Sequence, residues 1–292
     1  MYIVILNPNS GRGLALNKRP EIERALQEKD LAYRIESEHA AQETSAVVRR
    51  CVAENPEGII AVGGDGTLFE VINGMAGSSV PLLFVSCGTG NDFVRALGLP
   101  KDPIDALKLQ LGAPISRIDI GRMNETYFLN VSGTGFDVDV LRYADKYTAK
   151  YSGLRPYLFA LVDAIKQYRP MTAMVAFDDE PEKEMSFAIL SVGNGRYIGG
   201  GMKAVPEALL NDGLFDVIVV DPVKKAAILP LVVFYIAGKH VALKLGKLRR
   251  CKKISIRRKG STFNLDGELL DADNAKYEIL PAALCVRVPG MA

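Results

Sequence analysis

A chain of 292 residues, 48% of them hydrophobic, is long enough for two ordinary domains and can bury real cores, which excludes a disordered chain. Its formal charge of +2 excludes nucleic-acid binding driven by the total charge. Four scattered cysteines (Cys51, Cys87, Cys251, Cys285) and two scattered histidines (His39, His240) give neither a zinc site nor a disulfide framework, which fits a reducing cytoplasm.

The N-terminus opens directly into the apolar run Tyr2–Leu6, with no basic stretch or small-residue cleavage site of a signal peptide. That run reads as a buried strand, and it ends in the polar loop Asn7-Pro8-Asn9-Ser10-Gly11-Arg12-Gly13. A helix is expected over Pro20–Lys29, a strand over Ala32–Ser37 and a helix over Thr44–Asn55. Gly58–Ala61 then forms a central strand that runs into Val62-Gly63-Gly64-Asp65-Gly66-Thr67, and apolar spacing from Leu68 to Met75 begins a helix. Such a strand, tight loop and helix N-terminus make an anion site, because glycines admit a phosphate and the first N–H groups of the helix point at it. Asp65 would tolerate a phosphate only beside a cation, which implies a divalent metal. Standing alone, the same residues also read as a turn with Asp65 as a cap.

Pro81–Val85 is a further buried strand, followed by Gly88-Thr89-Gly90-Asn91-Asp92 and short helices near Phe93–Leu97 and Asp102–Leu111. Strands alternating with helices predict a parallel sheet with helices on both faces, and its three Gly-rich loops then open at one carboxyl edge. From Ile118–Met123 onward the alternation stops. Short strands are expected at Tyr127–Val131, Met171–Phe177, Met185–Val192, Phe215–Val220, Lys253–Arg257, Phe263–Asp266, Tyr277–Leu280 and Leu284–Val288, with helices at Val138–Ala149 and Leu154–Gln167. The expected division is a nucleotide-binding α/β domain over 1–122 and a mainly antiparallel β domain over 123–292, with the active site in the cleft between them.

Asn-Pro-x-Ser-Gly, Gly-Gly-Asp-Gly-Thr and Gly-Thr-x-Asn-Asp-Phe, in this order, resemble the diacylglycerol kinase catalytic domain of bacterial soluble lipid kinases and of sphingosine and ceramide kinases. The middle motif is also shared with NAD kinases and phosphofructokinases, which have the same kind of α/β domain. The Asn-Glu pair expected of an NAD kinase is missing. Val192–Gly201 and Pro206–Leu214 extend the resemblance into the second half. It implies an ATP-dependent lipid kinase using Mg²⁺, with diacylglycerol as acceptor and phosphatidic acid as product. The alternatives are an NAD kinase-like or other small-molecule hydroxyl kinase, and a nucleotide-binding peripheral membrane protein without turnover. Asn7, Pro8, Asn9, Ser10, Gly11, Arg12, Gly63, Gly64, Asp65, Gly66, Thr67, Glu70, Thr89, Asn91 and Asp92 would surround the nucleotide. Asp266, with Glu268 beside it, would be the general base, or Asp65 would, and the two assignments stay open. Asp212, with carbonyls of Leu209 and Leu214, would hold a structural Mg²⁺. Asn211-Asp212-Gly213 and Asp266-Gly267 also read as plain hairpin turns.

Arg12 keeps a positive charge where many relatives carry lysine, and Lys150, in Thr148–Gly153, is a weaker second cation. Between Asp221 and Asp266 no acidic residue occurs, while Lys224, Lys225, Lys239, Lys244, Lys247, Arg249, Arg250, Lys252, Lys253, Arg257, Arg258 and Lys259 do. With the apolar run Ala226–Ile236, too short to span a bilayer, they lead us to expect a local positive field docking on an anionic membrane surface. A buried element followed by a solvated basic strand is the equal alternative. The expectation is a cytoplasmic protein, peripheral at the inner face of the membrane, with no nucleic-acid partner and with a homodimer possible.

Overall fold

A computed structural model describes residues 1–37, 43–148, 150–151, 155–241 and 246–290. His39, Ala149, Ser152, Gly153, Leu154 and Lys244, named above, lie outside the described residues. In the first part of the chain the order is β1 (Tyr2–Leu6), α1 (Leu14–Gln27), β2 (Tyr33–Glu36), α2 (Thr44–Ala53), β3 (Gly58–Gly63), α3 (Asp65–Met75), β4 (Leu82–Ser86), α4 (Asp92–Ala96), α5 (Pro103–Gly112) and β5 (Ile115–Met123). There follow β6 (Thr126–Phe128), β7 (Val131–Gly135), α6 (Phe136–Thr148), α7 (Arg155–Gln167), β8 (Met171–Phe177), β9 (Lys183–Phe187) and β10 (Ile189–Gly193). The last are β11 (Phe215–Val220), α8 (Lys225–Ile236), β12 (Lys247–Cys251), β13 (Lys253–Arg257), β14 (Thr262–Leu265), β15 (Glu268–Asp271) and β16 (Asn274–Arg287). The contacts divide the chain into two compact units, one of 1–120, 210–212 and 280–292, the other of 121–209 and 213–279.

In the first unit the sheet order is β2-β1-β3-β4, all parallel, and Val286 of β16 pairs parallel with Leu82 of β4. One face packs Val4, Leu6, Ile60, Val62 and Val85 against Ile22 and Leu26 of α1 and Leu107 of α5. The alternate residues Ile3, Ile5, Ile59, Ala61 and Phe84 are buried too, so both faces are covered, as a parallel sheet requires. Past Leu82 the open side of β4 is served by a side chain. The amide of Gln110 accepts from Phe84 N–H at 2.9 Å and donates to Phe84 C=O at 2.9 Å, standing in for a neighbouring strand.

The second unit is a pair of antiparallel sheets. One has the order β12-β11-β10-β7-β14-β15, and in the other β13 pairs with β16 and β8, and β8 with β9. Aromatic rings bridge them: Phe128 stacks on Phe215 at 5.8 Å, and Tyr277 meets Phe128 and Phe263 edge-on. Helices α6, α7 and α8 join one apolar cluster through Phe136, Ala164 and Ile228.

Several expected elements differ. Helix α1 starts at Leu14, before Pro20, because the left-handed residues Gly11, Arg12 and Gly13 turn the chain into it at once, and Pro20 sits exposed inside. Strands β5 and β12 lie in polar or basic sequence and take their place from partners, β6 and β11. The strand expected at Tyr127–Val131 is two, β6 and β7, and that at Met185–Val192 breaks at Ala188, whose N–H bonds to Val220 C=O. The two expected near the C-terminus are one long strand, β16, with Ala282 left-handed within it. Asn211-Asp212-Gly213 closes no hairpin, since the chain from Gly193 to Phe215 is a long connection.

Part of the basic segment expected to give a local positive field is ion-paired. Lys247 pairs with Asp221 at 2.8 Å, Arg250 with buried Asp216 at 3.2 Å and Lys253 with Glu278 at 3.2 Å, while Arg249 pairs with Glu180 and Arg257 with Glu182 at 2.5 Å. Strand pairing brings these acids, distant in sequence, alongside the basic strands.

Beneath the helices of the second unit lies a buried carboxylate. Asp137, in the first turn of α6, rests on Gly133, where a Cβ would fall 2.1 Å from its Oδ2, and it bonds to Asn264, which opposes Gly133 in the ladder. Its Oδ1 is buried without a hydrogen-bond partner. Burial pushes the carboxyl up to about 6, against the opposing donors Val138 N–H and Asn264.

Two outcomes follow from this packing. Gln110→Leu leaves both Phe84 backbone groups unpaired and is expected to cost about 2–4 kcal/mol, read from denaturant unfolding. Asp137 has a folded value above its unfolded one, so its contribution to stability is full below about pH 4 and is lost as pH rises through about 6. Relative to its effect at pH 4, Asp137→Asn should therefore stabilise the protein at pH 7 by on the order of 2–3 kcal/mol. Equal effects at both pH values would contradict this.

Candidate active site

The three Gly-rich loops at the carboxyl ends of β1, β3 and β4 converge on Gly64. A Cβ there would lie 3.3 Å from Gly88 Cα and 3.4 Å from Ser10 Oγ, and a Cβ on Gly88 would lie 2.7 Å from Gly64 Cα. Asn7 Nδ2 donates to Thr67 Oγ1 at 3.0 Å, and Asn7 Oδ1 accepts from Asn9 N–H at 3.1 Å. Thus Asn7, Ser10, Gly63, Gly64 and Thr67 are brought together, with Pro8, Gly11 and Gly66 carried in the same loops. Helix α3 begins at Asp65 with no side-chain cap from Gly64, and beyond the N–H of Asp65, which meets its own carboxylate, the N–H groups of its first turn form the kind of end that suits an anion. Arg12 is exposed on the first loop in a left-handed conformation, φ 58°.

Asp65 does structural work that sequence alone did not show. Its carboxylate accepts from Asn91 N–H at 3.0 Å and Asp92 N–H at 3.3 Å, tying the loop after β4 to that after β3. Burial raises its pKa, and these donors together with the charge of Arg95 oppose the rise. These donors and Arg95 offset the burial of the carboxylate. Arg95 bonds Asp92 at 3.0 Å and Gly90 C=O at 3.0 Å, and Ser86 Oγ donates to Asn91 Oδ1. Thr89 is exposed between these anchored residues. Glu70 accepts from Ser45 of α2, so it also serves the packing of α2 on α3.

In the second unit Asp266 and Gly267 form a two-residue turn between β14 and β15, with φ 50° and 106°. The Asp266 carboxylate accepts from three successive backbone N–H groups, Leu129 at 2.5 Å, Asn130 at 2.9 Å and Val131 at 3.0 Å. That loop is itself held: Asn194 Nδ2 donates to Leu129 C=O at 2.6 Å, and Asn194 and Gly195 N–H both donate to Asn130 C=O. Asn264 accepts from Gly267 N–H at 2.8 Å and fixes the turn from below. Asn130, Asn194, Asn264 and Arg95 thus support the candidate residues. Asn194-Gly195 was visible as a motif, but its role depends on a partner distant in sequence. Glu268 is exposed at the start of β15, and Lys150 is exposed.

Leu209 is exposed, and Asp212 and Leu214 are half-buried in the connection before β11. Among the described residues no group of three or more His, Cys, Asp and Glu converges to hold a metal. One carboxylate with backbone carbonyls nevertheless offers the all-oxygen donors that Mg²⁺ prefers. The four cysteines are free and buried.

Comparison with known proteins agrees with this arrangement. The diacylglycerol kinase catalytic domain family matches residues 1–123, and the YegS C-terminal NAD kinase beta sandwich-like domain family matches 130–288. A Pseudomonas putida protein named "Probable lipid kinase YegS-like" is 32% identical over 263 residues, covering 85% of this chain and 83% of that one. A diacylglycerol kinase of Mycobacterium tuberculosis is 29% identical over 255 residues, covering 85% and 82%. A solved Bacillus anthracis structure assigned as a diacylglycerol kinase superposes with TM-score 0.81 at 25% identity, covering 98% and 96%. An Archaeoglobus fulgidus NAD kinase shares the fold, with TM-score 0.53 at 13% identity, covering 98% and 93%. Because those two family models between them match most of its length and the Pseudomonas putida lipid kinase relative spans most of both chains, the chain belongs to the diacylglycerol kinase-like family of lipid kinases.

Proposed function

We propose that the protein transfers the γ-phosphoryl group of ATP to the free hydroxyl of diacylglycerol, giving phosphatidic acid. The observation that carries this reading is the meeting of three loops at Gly64, in front of an uncapped helix N-terminus. There backbone N–H groups and the helix dipole would hold the nucleotide phosphates, with Arg12 adding charge. The thirteen other candidate nucleotide residues lie in or beside the same loops, except Glu70, one turn into α3. Mg²⁺ would neutralise phosphate charge, and a second ion at Asp212, Leu209 and Leu214 would be structural.

Asp266 is our choice of general base. The family resemblance places the base at this Asp, and three backbone donors fix the position of its carboxylate. Asp65 faces the N–H groups of Asn91 and Asp92 and acts in this reading on the shape of the nucleotide loops. ATP and a bilayer acceptor are both within reach at the cytoplasmic face of a membrane. No described helix is long and apolar enough to cross one, so the association would be peripheral.

Incubation with labelled ATP and a total lipid extract should label diacylglycerol; a different labelled lipid would change the acceptor, and label in NAD alone would overturn the reading. Gly64→Val puts a side chain where the phosphates and Gly88 must approach, so ATP affinity should fall at least about tenfold in a folded protein. Asp266→Asn should lower kcat by about 10²–10⁴-fold with little change in ATP binding. Its melting midpoint is measured alongside, because the new amide faces backbone N–H groups. Loss of ATP affinity in Asp266→Asn with turnover intact would return the role of base to Asp65.

A further inference from the structure

Two helices of the second unit carry apolar surface that their packing does not use. Helix α7 turns Leu161, Ala164 and Ile165 to the apolar cluster it shares with α8, and α8 turns Ile228 and Val232 to it. On their outer faces Leu158 is 60% and Val162 50% exposed on α7, and Leu229 58% and Val233 63% on α8. Each pair stands four residues apart, so each helix presents an apolar ridge, and the two helices touch. Between Ala226 and Ile236 only Tyr235 has a polar side-chain group, and it is turned inward to Ser191. A helix apolar all round belongs in a core or in a membrane environment. Aromatic rings stand at the start of α7, with Phe159 5.0 Å from Tyr151 and 5.4 Å from Tyr147, the kind of side chain that settles at a membrane–water boundary.

We propose that the outer face of α7 and α8 is the surface on which an anionic lipid bilayer docks. The proposal rests on the lipid-kinase reading and names where that enzyme meets its substrate's membrane. Charge selects the bilayer over a second copy of the chain. Helix α8 is bracketed by Lys224, Lys225 and Lys239, and no acidic residue occurs from 222 to 265. Asp163, the acidic group of α7, is engaged by Tyr147 and Lys166. A two-fold contact through this face would set the same lysines against one another, whereas anionic headgroups oppose them with the complementary charge. Because the basic strands β12 and β13 are ion-paired, insertion of the ridges below the headgroups dominates and the lysines assist.

The test is flotation of the full chain with phosphatidylcholine vesicles containing phosphatidylglycerol, compared with Leu158→Glu/Val233→Glu and the milder Leu158→Ser/Val233→Ser. Burying one Leu or Val is worth about tenfold or more in partition, so both variants should float at least about tenfold less. ATP binding, melting midpoint and phosphorylation of a short-chain, water-soluble diacylglycerol should be unchanged. Salt that screens the lysines should weaken wild-type flotation only severalfold. If wild type floats, the variants do not, and no lipid is phosphorylated, the docking face stands and the lipid-kinase reading falls. If the soluble acceptor is phosphorylated but wild type and variants float equally, the docking face is overturned. A wild-type dimer that the same substitutions convert to monomer also overturns it, since the ridges then belong to a self-interface.

Discussion

The close approach of the backbone at Gly64 to that at Gly88 is the constraint on which the first unit's site depends. Two loops that follow neighbouring parallel strands can meet only if neither carries a Cβ at the contact, and at 2.7 Å a Cβ on Gly88 would stand inside the van der Waals shell of Gly64. Once they meet, the carboxylate of Asp65 reaches the N–H groups of Asn91 and Asp92 and locks the pair, and Arg95 secures the far side. The hydrogen bond from Asn7 to Thr67 draws in the loop after β1. The result is a rigid floor of backbone donors rather than a set of long side chains. Such a floor suits phosphoryl transfer, where positioning and charge neutralisation supply most of the catalysis.

The second unit solves a different problem, the placement of one carboxylate. Asp266 sits in a tight two-residue turn, and three consecutive N–H groups from another strand connection hold its side chain. Those groups are positioned in turn by Asn194 and Gly195, and the turn by Asn264. Asn264 also contacts Asp137, whose buried oxygen has no hydrogen-bond partner and whose charge opposes folding at neutral pH. A protein that keeps such a group accepts a stability cost beside the Asp266 turn.

The surface chemistry of the same unit runs against its sequence composition. Twelve basic residues without an intervening acid look like an electrostatic patch, yet β12 and β13 lie alongside Glu180, Glu182, Asp216, Asp221 and Glu278, which pair with them. The apolar run beside them looks like a core helix, yet half of it faces outward. Surface ion pairs contribute little to stability, but here they offset the charge of β12 and β13, so that less of the segment's charge is left for long-range attraction.

Local pattern was enough for much of the molecule. Alternating strands and helices, the glycine loops and the apolar runs at β1, β3 and β4 announced a parallel sheet with its loops on one edge, because buried parallel strands need unbroken apolar residues and closely approaching loops need small ones. The motifs pointed to the lipid-kinase family, and Asp-Gly after β14 marked its turn. Tertiary structure decided what local pattern does not encode. Strands β5 and β12 are polar enough to hide until a partner strand supplies their hydrogen bonds, and α1 begins where three left-handed residues aim it rather than at its proline. The roles of Asn130, Asn194, Asn264 and Arg95, and the neutralisation of the basic strands, arise from groups distant in sequence or fixed by loop conformation. Those contacts exist only once burial and strand register have brought their partners within hydrogen-bond reach.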